Sequence, residues 1–175
     1  MSEPQVILVN QEDKAIGVMG KLEAHEKGLL HRAFSVFVLN DKQELLLQRR
    51  ALHKYHSPGL WTNSCCSHPL PDESTADAAK RRMQEEIGFS TEVEHLFAFT
   101  YKHEFENGLT EHEYDHVFLS NYNGEVAFNT AEVDAVKWLP LFEVKKQITE
   151  YPERFTPWFK LVFNRFCDTV IDKVE

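Results

Sequence analysis

The stretch from Ser74 to Gly88 carries both ends of a helix and the face it must bury. Ser74-Thr75-Ala76-Asp77 matches a capping box, in which a hydroxyl accepts from a backbone N–H left open in the first turn. Gly88 is a fitting terminator, because the residue after a helix often turns left-handed. Between them Ala76, Ala79, Met83 and Ile87 fall on one stripe at helical spacing, so this side lies on a core. The flanking segments read as strands. Val6 to Val9 and Ala33 to Leu39 are apolar runs of strand length. Asn40-Asp41-Lys42 reads as a turn, with Leu45 to Arg49 as its hairpin partner. Trp61 to His68 is expected to be extended, entered from Pro58-Gly59 and ended by Pro69. Thr91 to Tyr101 and Thr110 to Ser120 read as long antiparallel strands joined through Asn107-Gly108. Val136 to Pro140 is a last strand, and helices near Phe142 to Thr149 and Pro157 to Asp168 follow. Strands with interspersed and terminal helices predict an α/β or α+β sandwich. With 175 residues and no repeat or linker, a single domain over 1–175 is expected.

Charge narrows the partners. A net charge of −9 argues against nucleic acid, which needs a basic face. No apolar run is long enough to span a membrane. The opening Met1-Ser2-Glu3-Pro4-Gln5 is neither basic nor followed by an apolar core, and three cysteines make no disulfide framework. A reducing cytoplasm is therefore expected. Nothing here speaks to oligomeric state. An anionic ligand must be drawn in by local cations, and Lys21, Arg49, Arg50, Lys54, Arg81 and Arg82 are candidates. Any one of them alone reads better as a solvated surface charge.

Strand parity sorts the reactive side chains. On an extended segment Cys66 and His68 share a face, while Cys65 and Ser67 point the other way. Cys66 is thus the candidate functional thiol and Cys65 a small core residue. An inert buried thiol is the competing reading, and a strained vicinal disulfide a third. Glu111 and Glu113 likewise share a face, opposite His112 and Tyr114. They are either an exposed polar edge or a pair that needs a cation between them. His25 and His31 lie in a segment with no helical apolar stripe.

Glu73, seven residues, and then Arg81-Arg82-Met83-Gln84-Glu85-Glu86-Ile87-Gly88-Phe89 resemble the Nudix box, G-x5-E-x7-R-E-U-x-E-E-x-G-U with U apolar. Two positions depart: Ser67 stands for the first Gly, and Arg82 for the Glu that follows Arg. That Glu is a metal-holding carboxylate in Nudix hydrolases. With Trp61 and Asn63 upstream, then Cys66-Ser67-His68-Pro69, the chain resembles the type 1 isopentenyl-diphosphate isomerases of the Nudix superfamily, from about Gln5 to about Phe166.

The resemblance implies a Nudix-like mixed-sheet sandwich with flanking helices. It also implies an enzyme that moves a double bond in a small diphosphate without cutting it. It assigns a divalent metal, Zn, Mn or Mg, to the positions matching His25, His31, His68, Glu111 and Glu113, a donor set that suits an ion of borderline hardness. A His near such a metal would depress the Cys66 thiol pKa. Glu86 would bind Mg together with the substrate diphosphate, and Lys21, Arg50, Lys54 and Arg82 would grip that diphosphate. Cys66 and Glu113 would carry the two protons, with Cys66 read as the thiolate that takes one from C2. Tyr101 would hold Glu113, and the π face of Trp158 would favour a cation. Without the resemblance, Tyr101 and Trp158 read equally as plain aromatics, and Arg82–Glu86 as an exposed i,i+4 pair. His53, His56, His95, His103, His112 and His116 are assigned ordinary surface or core roles.

Two rival classes remain open on sequence alone. One is a Nudix hydrolase acting on a nucleoside diphosphate derivative. The other is a binding or regulatory module on the same fold, which hosts many functions.

Overall fold

The computed structural model describes residues 4–54 and 56–174, with side chains through Ile171. Met1 to Glu3, which carry part of the expectation of a cytoplasmic location, lie outside them. The strands are β1 (Gln5–Val9), β2 (Ala15–Gly20), β3 (His31–Leu39), β4 (Glu44–Arg50), β5 (Trp61–Thr62), β6 (Cys65–Ser67), β7 (Glu94–Glu104), β8 (Thr110–Asn121) and β9 (Val133–Pro140). The helices are α1 (Lys21–Lys27), α2 (Thr75–Ile87), α3 (Leu141–Glu150) and α4 (Pro157–Val174).

The sheet is mixed. β3 is its hub, pairing in parallel with β8 from His31↔Glu113 to Leu39↔Asn121, and antiparallel with β6. β7 and β8 form the expected hairpin, and β9 runs antiparallel along β4. Alternation along β3 divides the interior in two. Phe34, Val36 and Val38 join Cys65, Phe118 and α2. Phe37 and Leu39 join Val117, Phe97, Tyr101 and the α4 aromatics Trp158, Phe159, Phe163 and Phe166. Helices thus cover both faces. Neighbouring cysteines part accordingly: Cys65 packs on the α2 side, Cys66 on the α4 side.

α2 has both its ends where the sequence puts them. Ser74 Oγ accepts from the Asp77 N–H at 3.1 Å, and Gly88 closes the helix at φ 78°. A Cβ on Gly88 would lie 2.3 Å from the Ala127 carbonyl oxygen, so glycine is needed here for space as well as conformation. Ala79, Met83 and Ile87 are buried as expected, joined by Ala78. Ala76 packs at the margin of the same cluster.

Three elements differ from the sequence reading. The extended segment expected over Trp61 to His68 is two short strands, β5 and β6, with a bend at Asn63-Ser64 between them. β2 is exposed or half-buried along its whole length, so no alternation marks it. The segment holding His25 is a helix, α1. It has only seven residues, and only Ala24 and His25 are buried. That is too short for an amphipathic stripe to show.

Candidate active site

Four segments meet at one end of the α4 face. α1 supplies His25, β3 supplies His31, the residue just after β6 is His68, and β8 supplies Glu111 and Glu113. Donor atoms of His25, His31, His68 and Glu113 lie within 4.8 Å of one another, and His25, Glu111 and His56 form a second such group. Both carboxylates are buried rather than set on an exposed edge.

The imidazoles are oriented from behind. His25 Nδ1 lies 2.6 Å from the Lys21 carbonyl oxygen and His31 Nδ1 2.9 Å from that of Leu29. A carbonyl only accepts, so Nδ1 carries the proton in each ring and Nε2 is turned toward the cluster. His31 Nε2 is buried with no hydrogen-bond partner among the described residues, and it lies 3.4 Å from Glu113 Oε2. His68 Nε2 lies 2.7 Å from the same oxygen. An orphaned imidazole nitrogen beside buried carboxylates is what a divalent cation would satisfy, so the donor set fits one.

Tyr101 stands between the two acids, its hydroxyl 2.5 Å from Glu111 Oε2 and in contact with Glu113 Oε1. Burial and the Glu111 charge push the Glu113 carboxyl up, yet His31 and His68 outweigh them and hold it at about 2. Burial pushes the His68 imidazole down to about 4 despite Glu113. Asp115 is the next β8 residue on this face and is also buried. Burial, then the Glu113 charge, raise its carboxyl well above the usual range. Ser35 Oγ donates to it at 2.9 Å.

Cys66 Sγ sits among Asn63 Oδ1 at 2.9 Å, Trp158 Nε1 at 3.2 Å and Ser35 Oγ at 3.8 Å. Burial, and then the nearby Asp115, push the thiol up to about 12, so it is a neutral S–H in this state. The Trp158 ring faces the Arg50 guanidinium, whose Cζ is 5.3 Å from the ring centroid.

Lys21, Arg50, Lys54 and Arg82 line one cavity together with Cys66, Glu86, Glu113 and Trp158. The Nε–H groups of Arg50 and Arg82 are buried without partners among the described residues. Burial, then Lys54 and Arg50, lower the Lys21 pKa. Glu132 partly offsets them, 2.5 Å from Lys54 Nζ. Glu86 is buried, with Cys65 Sγ 3.2 Å and Arg82 Nη2 3.5 Å from its Oε2. Cys65 is therefore more than apolar filling. Arg81 instead grips Glu73 by two bonds of 2.8 and 2.9 Å, and Arg49 pairs with Asp134 at the surface.

Three residues escaped the sequence reading of the site. His56, assigned an ordinary role, stacks on His25 at 5.6 Å and places Nε2 3.1 Å from Glu111 Oε1. It lies on an irregular loop, where no period gives a direction. Asp115 was within reach, because the parity linking Glu111 to Glu113 extends to it. Asn63 was noted only as part of a motif.

Comparisons with known proteins give the family and the fold. The profile of the NUDIX domain matches residues 29–159. An Aromatoleum aromaticum protein named isopentenyl-diphosphate Delta-isomerase 2 is 47% identical, over 93% of this chain and 86% of its own. The Burkholderia multivorans isopentenyl-diphosphate Delta-isomerase is 45% identical, over 93% of both chains. Among solved structures, a Deinococcus radiodurans protein superposes with a TM-score of 0.77 at 18% identity, covering 92% of this chain and 98% of its own. A MutT protein of Methanosarcina mazei gives 0.66 at 20% identity, covering 79% and 94%. At such identities these two speak for the fold alone.

Proposed function

This chain belongs to the isopentenyl-diphosphate Delta-isomerases of the Nudix superfamily, and from that premise we propose how its side chains perform the reaction. The enzyme converts isopentenyl diphosphate to dimethylallyl diphosphate, a step that supplies isoprenoid precursors. A terminal alkene gains a proton at C4 and loses one from C2, through a tertiary cation-like species at C3. The site must supply two proton-carrying groups, a clamp for the diphosphate, a surface that tolerates the cation, and shelter from water.

The observation that carries the assignment is the shared cavity of Cys66, Glu113 and the four cations. We assign Cys66 and Glu113 to the two protons. The reaction is reversible, so each group gives in one direction what it takes in the other. Tyr101 steadies the Glu113 carboxyl, and the Trp158 ring offers its π face to the cation. Lys21, Arg50, Lys54 and Arg82 hold the diphosphate, with the unpartnered Nε–H groups of the two arginines as ready donors. His25, His31, His68, Glu111 and Glu113 would hold a Zn, Mn or Mg ion, and Glu86 a Mg ion together with the diphosphate. When bound, these ions supply positive charge that orients the acids and neutralises the phosphates. Three free cysteines favour a reducing cytoplasm as the enzyme's location. No helix among the described residues is long and apolar enough to cross a membrane.

Turnover in heavy water tests the assignment. Deuterium should enter the product methyl group and wash into C2. Replacing Cys66 by Ala or Glu113 by Gln should stop net conversion of isopentenyl to dimethylallyl diphosphate, and wild-type conversion by either variant would sink the pairing.

A further inference from the structure

The wall behind Cys66 contains a hydrogen-bond chain whose direction is fixed by chemistry. Asn63 is fully buried in the bend between β5 and β6. Its Nδ2 lies 3.0 Å from the carbonyl oxygens of both Val36 and Cys65. Carbonyls only accept, so the amide nitrogen must face them and Oδ1 must face away. There Oδ1 meets Cys66 Sγ at 2.9 Å and Thr62 Oγ1 at 2.9 Å. An amide oxygen also only accepts, so the thiol and the hydroxyl both donate to it. Thr62, its proton committed, accepts from Thr156 Oγ1 at 2.9 Å. Thr62, Asn63 and Thr156 are each at most 1% exposed, so water does not compete for these groups. The Thr156 N–H donates to the Trp61 carbonyl at 3.0 Å, which ties the start of α4 to β5. Two residues further on, the Trp158 indole donates to the same sulfur from α4.

We propose that Asn63 is a positioning residue for the isomerisation: its side-chain oxygen holds the Cys66 S–H and so fixes the sulfur's rotamer at the cavity wall. This rests on the reading of Cys66 as a proton-carrying group. The sulfur is gripped twice, by an acceptor for its proton and by the indole donor for its lone pair. Both grips come from buried groups, and Asn63 is itself anchored to two backbone carbonyls and the Thr62 hydroxyl. Any use of the thiol proton then starts with rotation about the Cβ–Sγ bond, away from Asn63.

Infrared spectroscopy reads the S–H stretch directly, and the difference between wild type and Cys66→Ala isolates the Cys66 band. In the wild type that band should lie at the lower frequency of a hydrogen-bonded thiol, relative to a simple thiol in apolar solvent. A band at the free-thiol position overturns the proposal without recourse to any Asn63 variant. In Asn63→Ala the band should move to the free position. Its kcat should fall about 100-fold while KM for isopentenyl diphosphate stays within about threefold, the pattern of an interaction used in the transition state rather than in binding. That substitution strands two buried carbonyls and can prevent folding, which is why the wild-type band is decisive. A folded Asn63→Ala enzyme with wild-type kcat overturns the proposal. Wild-type turnover by Cys66→Ala would instead overturn the role of Cys66, while the band would still report whether Asn63 holds the thiol.

Discussion

Adjacent cysteines provide the sharpest contrast at the scale of single residues. Cys66 faces the cavity and Cys65 the α2 core. Cys66→Ala should lower kcat by about 1,000-fold or more with little change in substrate KM, since the diphosphate clamp is made elsewhere. Cys65→Ala should retain activity within about tenfold and lose on the order of 1 kcal/mol of stability from packing and the Glu86 contact. Steady-state kinetics and denaturant melts of both variants check this. The sign of the pH dependence follows from His68. In the folded, metal-free protein its pKa is pushed by burial from the usual 6.5 to about 4. An unfolded chain therefore binds a proton that the folded one refuses. This source of stability is complete above 6.5 and is lost as pH falls toward 4, at most about 3 kcal/mol. His25 works in the opposite sense: burial lowers its pKa, but contact with Glu111 more than offsets this and raises it. The urea midpoint of chelator-treated protein should still fall between about pH 7 and about pH 5. A flat profile would show that the two histidines cancel. Much at this scale was legible because a strand has a period of two, which placed Cys66 and Glu113 correctly relative to their neighbours. Parity gives direction but not depth, so it left open whether Glu111 and Glu113 are buried, as they prove to be. It says nothing of loops, so His56 was missed.

α2 is where sequence and structure agree most closely at the scale of elements, because capping chemistry and apolar spacing both act locally. Ser74→Ala removes an acceptor that only the helix start uses. It should cost about 1 kcal/mol and lower Tm by roughly 2–4 °C, with catalysis at low temperature unchanged. Gly88→Ala should cost more, because the new methyl must displace the Ala127 carbonyl as well as adopt a left-handed backbone. Thermal melts of the two variants side by side test the ranking, and equal shifts would refute the steric argument. β2 and α1 were illegible for one shared reason. Each is short and buries too few side chains to leave a period. Their order comes from pairing with β1 and from docking against β8, which are non-local contacts.

Arg82 separates this molecule from its hydrolytic relatives in fold. It puts a half-buried guanidinium where the box has a metal-binding carboxylate, so the enzyme should release no nucleotide from ADP-ribose at rates typical of enzymes. Chromatographic detection of rapid AMP release would return the hydrolase reading. Dialysis against a strong chelator should abolish isomerisation, and Zn, Mn or Mg should restore it. The ion that restores activity at the lowest concentration identifies the preferred occupant. The route of the chain through the site has a further consequence. Three of the five proposed ligands, His25, His31 and His68, occur early in the chain, while Glu111 and Glu113 come only with β8. β3 and β8 are parallel neighbours with His31 beside Glu113, so the ring closes across a pairing of strands far apart in sequence. During synthesis the nascent chain presents three imidazoles well before the carboxylates that complete the set. A bound ion would then act as a late staple, locking the first half of the polypeptide to the second only after the hairpin has formed. Until that moment, the half-made site would hold its three imidazoles without the carboxylates that complete it.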